Sequence, residues 1–101
     1  MTTFVYYFIP EDNENENKMN IFIIYKNYKD IRLQDIKENF PLPGNYYFRF
    51  KFEFMEKNVW IDFNNPVGAL PRYDGKIIMK VTRLSWDNKK KQKMPSADIF
   101  M

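Results

Sequence analysis

Two strings of like charge stand out among the ionisable groups of this chain. Glu11, Asp12, Glu14 and Glu16 are interspersed with asparagines ahead of Lys18, and Lys89, Lys90, Lys91 and Lys93 stand together further on. Closely spaced carboxylates are oxygen donors for a hard cation, but the fixed pattern of a calcium loop is absent, so the acidic string reads as solvated loop and no metal is expected. Clustered lysines attract a phosphate backbone or an anionic membrane, yet four of them leading into Met94-Pro95 read as a solvated linker. The chain has no histidine and no cysteine. That removes the imidazole base, the thiolate nucleophile, the disulfide and the usual zinc ligands. Asp, Glu, Lys and Tyr remain, and no paired constellation of them suggests acid–base or nucleophilic work, so neither a catalytic residue nor a cofactor is expected.

The elements that must position these groups are short and aromatic. With 101 residues, 45% of them hydrophobic, there is material for one compact domain with a modest core and for no second one. Residues 1–86 carry 12 Lys and Arg against 11 Asp and Glu, so much of the net charge of +3 comes from residues 87–101. The apolar runs are too short to span a membrane, and Met1-Thr2-Thr3 lacks the basic region and apolar stretch of a signal peptide. A cytoplasmic protein without membrane insertion is the expectation.

Thr3 to Ile9 (TFVYYFI) is dense in aromatic and β-branched residues and stops at Pro10, which predicts a strand buried on both faces or nearly so. Met19 to Tyr25 (MNIFIIY) predicts its hairpin partner. In Ile31 to Phe40 the period changes to that of a helix, with Leu33, Ile36, Lys37 and Phe40 on one face, Asp30 as N-cap and the Pro41-Leu42-Pro43-Gly44 string as stop. Tyr46 to Met55 alternates strictly: Tyr46, Phe48, Phe50, Phe52 and Phe54 point one way, Tyr47, Arg49, Lys51 and Glu53 the other. Aromatics interleaved with cations also occur on sheets that stack single-stranded nucleic acid, but there rings and charges share the exposed face. Here the alternation separates them, so core packing is the stronger reading and no nucleic-acid partner is expected.

Val59 to Phe63 alternates again, with Val59, Ile61 and Phe63 inward and Trp60 and Asp62 outward. An outward tryptophan either lies over a neighbouring side chain or anchors an interface. Asn64 to Gly68 is loop, Asp74-Gly75 a tight turn, and Lys76 to Thr82 a last strand with Ile77, Met79 and Val81 against Lys76, Ile78 and Lys80. The order β-β-α-β-β-β predicts an α+β, ubiquitin-like β-grasp fold: a mixed sheet with one short helix across one face. Fold alone implies no function.

The motifs go further. Ile31-Arg32-Leu33-Gln34-Asp35-Ile36-Lys37, Tyr46-Tyr47-Phe48-Arg49, and Leu70-Pro71-Arg72-Tyr73-Asp74-Gly75-Lys76 running on to Val81 stand in the order found in DIX domains. The chain resembles that module of the animal Dishevelled and Axin proteins, and Val5-Tyr6-Tyr7 and Val59-Trp60-Ile61-Asp62 resemble its form in the plant SOSEKI proteins. The resemblance spans most of residues 3–83. Two departures stand out: Arg32 replaces the family's threonine before the helix, and Asn64-Asn65-Pro66-Val67-Gly68 replaces an acidic string after the fourth strand.

The resemblance implies self-association, in which the second strand of one copy docks on the fourth strand of the next. Carried over, the head lies within Asn20 to Tyr25, with Asn20, Ile21, Phe22, Ile23 and Ile24 as contact residues. The tail lies within Asn58 to Phe63, with Asn58, Val59, Trp60, Ile61 and Asp62, flanked by Lys57 and Arg72. The expected protein is a head-to-tail polymer acting as a signalling or cell-polarity scaffold, its partners being further copies and other DIX domains. Residues 1–86 would form the module and residues 87–101 a lysine-rich tail or linker. Two other classes stay open: a ubiquitin-like hetero-interaction module of the PB1 type, although strand one lacks its lysine and the later half its acidic cluster, and a nucleic-acid-binding domain.

Overall fold

The computed structural model describes residues 1–86, so the lysine string and the expected tail lie outside the described residues. Five strands and one helix follow in the order β1 (Thr3–Phe8), β2 (Asn20–Ile24), α1 (Leu33–Asn39), β3 (Asn45–Phe54), β4 (Lys57–Asp62) and β5 (Ile77–Ser85). One sheet holds all five in the spatial order β2-β1-β5-β3-β4. β1 and β5 run parallel, while β1 with β2, β3 with β5 and β3 with β4 run antiparallel. This is the expected α+β arrangement, a mixed sheet with one short helix, consistent with the ubiquitin-like β-grasp. The last strand inserts between the two hairpins, and that insertion pushes β2 and β4 to opposite edges.

Alternation explains the core. Val5 and Tyr7 of β1, Phe22 and Ile24 of β2, Phe50 of β3, and Ile77, Met79 and Val81 of β5 are buried on the helix side, where Leu33 and Ile36 of α1 close over them. Phe40, just past the helix, ties three strands together through edge-on ring contacts to Tyr7 (5.0 Å), Phe22 (5.9 Å), Tyr46 (4.9 Å) and Phe48 (5.2 Å). Burial raises the pKa of the Tyr7 hydroxyl above its ordinary value, with Glu14 and Tyr46 adding to the effect.

Three expectations need correction. Asp30 does not cap the helix; it ends a 3-10 turn, Tyr28–Asp30, whose first residues are held by the Asn27 side chain accepting from the Lys29 main-chain N–H at 3.0 Å. The helix starts at Leu33 with Arg32 as N-cap, and Asp35 reaches back to accept from the Arg32 main-chain N–H at 2.8 Å. Lys26 donates to the same carboxylate at 2.9 Å, and its hydrogen bond, with that of the Arg32 N–H, lowers the Asp35 pKa. So the position that lost the family's threonine is served by the other half of the capping pair. Second, Phe52 and Phe54 leave the core, Phe54 being 57% exposed. β3 pairs with β5 only as far as Phe50, and the β3–β4 hairpin runs on past the end of that pairing. Third, the face away from the helix differs from expectation on two strands: Ile78 is buried on the side read as solvated, in register with Tyr6, whereas β1, read as buried on both faces or nearly so, leaves Phe4 53% exposed.

Two tight turns have two central residues with positive φ. Asp74 (53°) and Gly75 (74°) close the turn flanked by Tyr73 and Lys76, which exchange main-chain hydrogen bonds of 2.8 and 2.9 Å. Met55 (52°) and Glu56 (65°) do the same between β3 and β4 without a glycine or asparagine to ease the left-handed conformation. Gly44 opens β3 at φ 117°, where a Cβ would stand 2.6 Å from the Ser85 carbonyl oxygen, so no larger residue fits.

Candidate interaction edges

β2 and β4 are the two edge strands, each paired on one side only. All ten contact residues expected from sequence lie on these strands, five on each, so the expected head and tail face away from each other across the sheet. An edge strand offers a row of main-chain donors and acceptors to another chain.

At the head, inward and outward residues differ sharply. Phe22 and Ile24 are buried in the core, whereas Ile21 is 54% and Ile23 40% exposed on the face away from the helix. Asn20 is half-buried and its side chain is occupied: the amide donates to Glu14 Oε1 at 2.9 Å, and the same oxygen accepts from the Ile9 main-chain N–H at 2.9 Å. Glu14 therefore fixes both the end of β1 and the start of β2. Composition alone marks it as one of several loop carboxylates, and only its position six residues before the strand hints at the role.

Two further carboxylates of the loop are likewise engaged within the molecule. Asp12 takes two hydrogen bonds from the Arg83 guanidinium, at 2.8 and 2.9 Å, which hold its carboxyl below the ordinary carboxylate range and raise the arginine's pKa. Glu16 pairs with Lys51 on β3. The loop thus lies beside the head, but Glu14, Asp12 and Glu16 are each committed to a different donor.

The tail is more open. Asn58 and Asp62 are exposed and Val59, Trp60 and Ile61 half-buried. Val59 is opposite Phe52 and Ile61 opposite Phe50, on the helix side but beyond the helix's cover. There a concavity of about 760 Å³ is lined by Phe52, Ile61, Phe63 and Leu70, with Tyr28 and Arg72 at its wall. The Arg72 guanidinium stacks 4.3 Å from the Tyr28 ring centre and lines the same concavity as Ile61 of β4, while Lys57 begins β4 and is exposed. The Leu-Pro-Arg segment that marks the sequence forms part of that wall.

Trp60 is outside the main core, as the alternation predicts, but it is not bare. Its ring meets Phe8 of β1 edge-on at 5.6 Å, and Lys80 lies 5.9 Å from its centre. Of the two sequence readings, cover by a neighbour is therefore present in the single chain. Arg49 lies over Tyr47 at 5.0 Å and bonds Asp62 at 3.1 Å, while the Tyr47 hydroxyl's hydrogen bond to Asp62 raises its pKa. Rings and cations do share this outer face, unlike the reading from β3 alone; Arg49 and Lys51 are each answered by a carboxylate of the same molecule.

Two distinct edges on a β-grasp sheet, with the Leu-Pro-Arg segment beside one of them, fit one family in particular. Residues 1–81 match the family model of the DIX domain. The chain belongs to the DIX domain family. No curated protein matches it. DIX domains are protein–protein interaction modules rather than enzymes, and their partners include other DIX domains. Among the described residues of this DIX domain no helix is long and apolar enough to cross a membrane.

Proposed function

We propose that this DIX domain self-associates head to tail, the β2 edge of one copy pairing with the β4 edge of the next, into reversible filaments that serve as a signalling or cell-polarity scaffold in the cytoplasm. The observation that carries the reading is the strand order, which leaves two unlike edges on opposite sides of one sheet. A contact between unlike surfaces is heterologous: each added copy brings one used and one unused edge, so growth continues unless the ring closes. Main-chain pairing supplies general attraction, and alternate side chains supply register and choice of partner. Asn20, Ile21, Phe22, Ile23 and Ile24 form the head, Asn58, Val59, Trp60, Ile61 and Asp62 the tail, and Lys57 and Arg72 its charged flank. We take the module to run to residue 86, since β5 continues to Ser85.

A strand-to-strand contact of this length buries near or below ~1,200 Å² in total, the size of weak and reversible complexes. Weak links in series concentrate whatever the copies carry, and low-affinity partners are then retained by avidity. Light scattering over a concentration series tests the reading. The native chain grows in mean mass with concentration, whereas Ile21→Asp and Trp60→Asp each stay small. Mixed, they form a dimer through the one intact head and the one intact tail. Because Trp60 packs on Phe8, Val59→Asp serves as a second tail variant that leaves this contact in place. A native chain that stays monomeric to high concentration sinks the proposal.

A further inference from the structure

The head is wider than its strand. Phe4 of β1 is directly opposite Ile23 of β2, and Tyr6 opposite Ile21. On the face away from the helix Phe4 is 53% exposed, comparable to Ile21 and Ile23, and Tyr6 is half-buried beside them. Three large apolar side chains on two adjacent strands thus form one continuous patch in water, flush with the open edge. Solvated sheet faces ordinarily put polar residues at such positions, and a contiguous apolar patch of this kind marks an interaction surface.

We infer that Phe4 belongs to the head, and that Phe4, Ile21 and Ile23 together form an apolar landing for a second copy of this chain. The inference rests on the head-to-tail reading and deepens it. A second copy is the occupant that the dimensions favour. β2 offers only five residues of main chain, while specific contacts generally clear about 1,000 Å², so a copy seated on that edge must also cover surface next to it. The patch is the apolar surface contiguous with the edge on that side. Its members on β2 are already in the strand that pairs, and Phe4 extends the contact by one strand. The side chains of Phe22 and Ile24, the alternate residues of β2, are buried in their own core, so these two residues offer the head their main chain only.

Light scattering separates the two ideas. The native chain, Phe4→Glu and the control Leu84→Glu, which alters an exposed side chain at the far end of β5, are measured over one concentration series. Phe4→Glu is expected to need at least tenfold more protein to reach a given mean mass, while Leu84→Glu follows the native curve. Phe4→Glu mixed with Val59→Asp is expected to give a dimer, since its own tail is intact. If the native chain grows and Phe4→Glu grows equally well, the inference is overturned and the head-to-tail reading stands. If the native chain does not grow, both fall. Circular dichroism checks folding; should Phe4→Glu lose the native spectrum, Phe4→Ser, which adds no charge, carries the same expectation with a smaller shift.

Discussion

The two edges of this sheet are built differently although both are exposed strands of similar length. At β2 every second residue is locked in the core, the first residue is tied by Glu14, and the free apolar side chains lie on the face away from the helix. At β4 no residue is fully buried, and the apolar surface beside it is a concavity on the helix side, left open because α1 covers the other end of the sheet. The contrast teaches that an edge can be shaped by what lies under it. A firm edge with a raised patch and a looser edge with a hollow do not duplicate one another, so a contact between one and the other is heterologous and does not close on itself as a two-fold pair does.

The largest test of that contrast is energetic. Phe22→Ala at the head is expected to lower unfolding stability by about 3–5 kcal/mol, the usual cost of deleting a buried phenylalanine. Val59→Ala, its counterpart at the tail, should cost about 1 kcal/mol or less, because its side chain is only half withdrawn from water. Urea unfolding of both variants checks the difference, and equal losses would break the comparison. Next in size is Glu14→Ala, expected to cost about 1–2 kcal/mol by removing the acceptor of two hydrogen bonds. Hydrogen exchange should then rise at the start of β2 and not in β4.

At the tail, the double variant Met55→Asn with Glu56→Gly is expected to stabilise the domain by about 1 kcal/mol, since Asn-Gly adopts two successive left-handed residues with little strain. Its melting temperature reports the gain. The smallest effect concerns salt. Raising ionic strength from 50 to 500 mM is expected to weaken assembly only a few-fold, because Asp12, Glu14 and Glu16 are already engaged within the head's own molecule, leaving few charges to screen between copies. Sedimentation velocity at the two salt concentrations measures it.

Most of the fold was legible because alternation and period depend on local sequence. Residues 46–50 and 77–81 announce strands with a buried face, and Asp74-Gly75 announces its turn. What escaped depends on which element covers which. Phe52 and Phe54 continue the pattern of Phe48 and Phe50 perfectly, and nothing in their sequence reveals that the helix stops short of them. Trp60 was read correctly as outside the core, but its partner Phe8 is more than fifty residues away in the chain and meets it only through the curl of the sheet. The sequence shows a break between two alternating runs at Glu56-Lys57-Asn58, but Met55-Glu56 carries no turn residues, so the turn's position and left-handed form appear only in the backbone angles. Glu14 differs from its neighbours in the acidic string by position alone.

The packing of Trp60 on Phe8 gives the molecule its own optical gauge. Only two tryptophans are present, and the other, Trp86, is largely in water with the Arg83 guanidinium 3.8 Å from its ring centre. Replacing Trp86 by phenylalanine leaves a single emitter on β4, half-shielded in the isolated chain. Its emission wavelength then follows the wetness of that strand, so a dye-free titration can watch the fourth strand being covered or left bare.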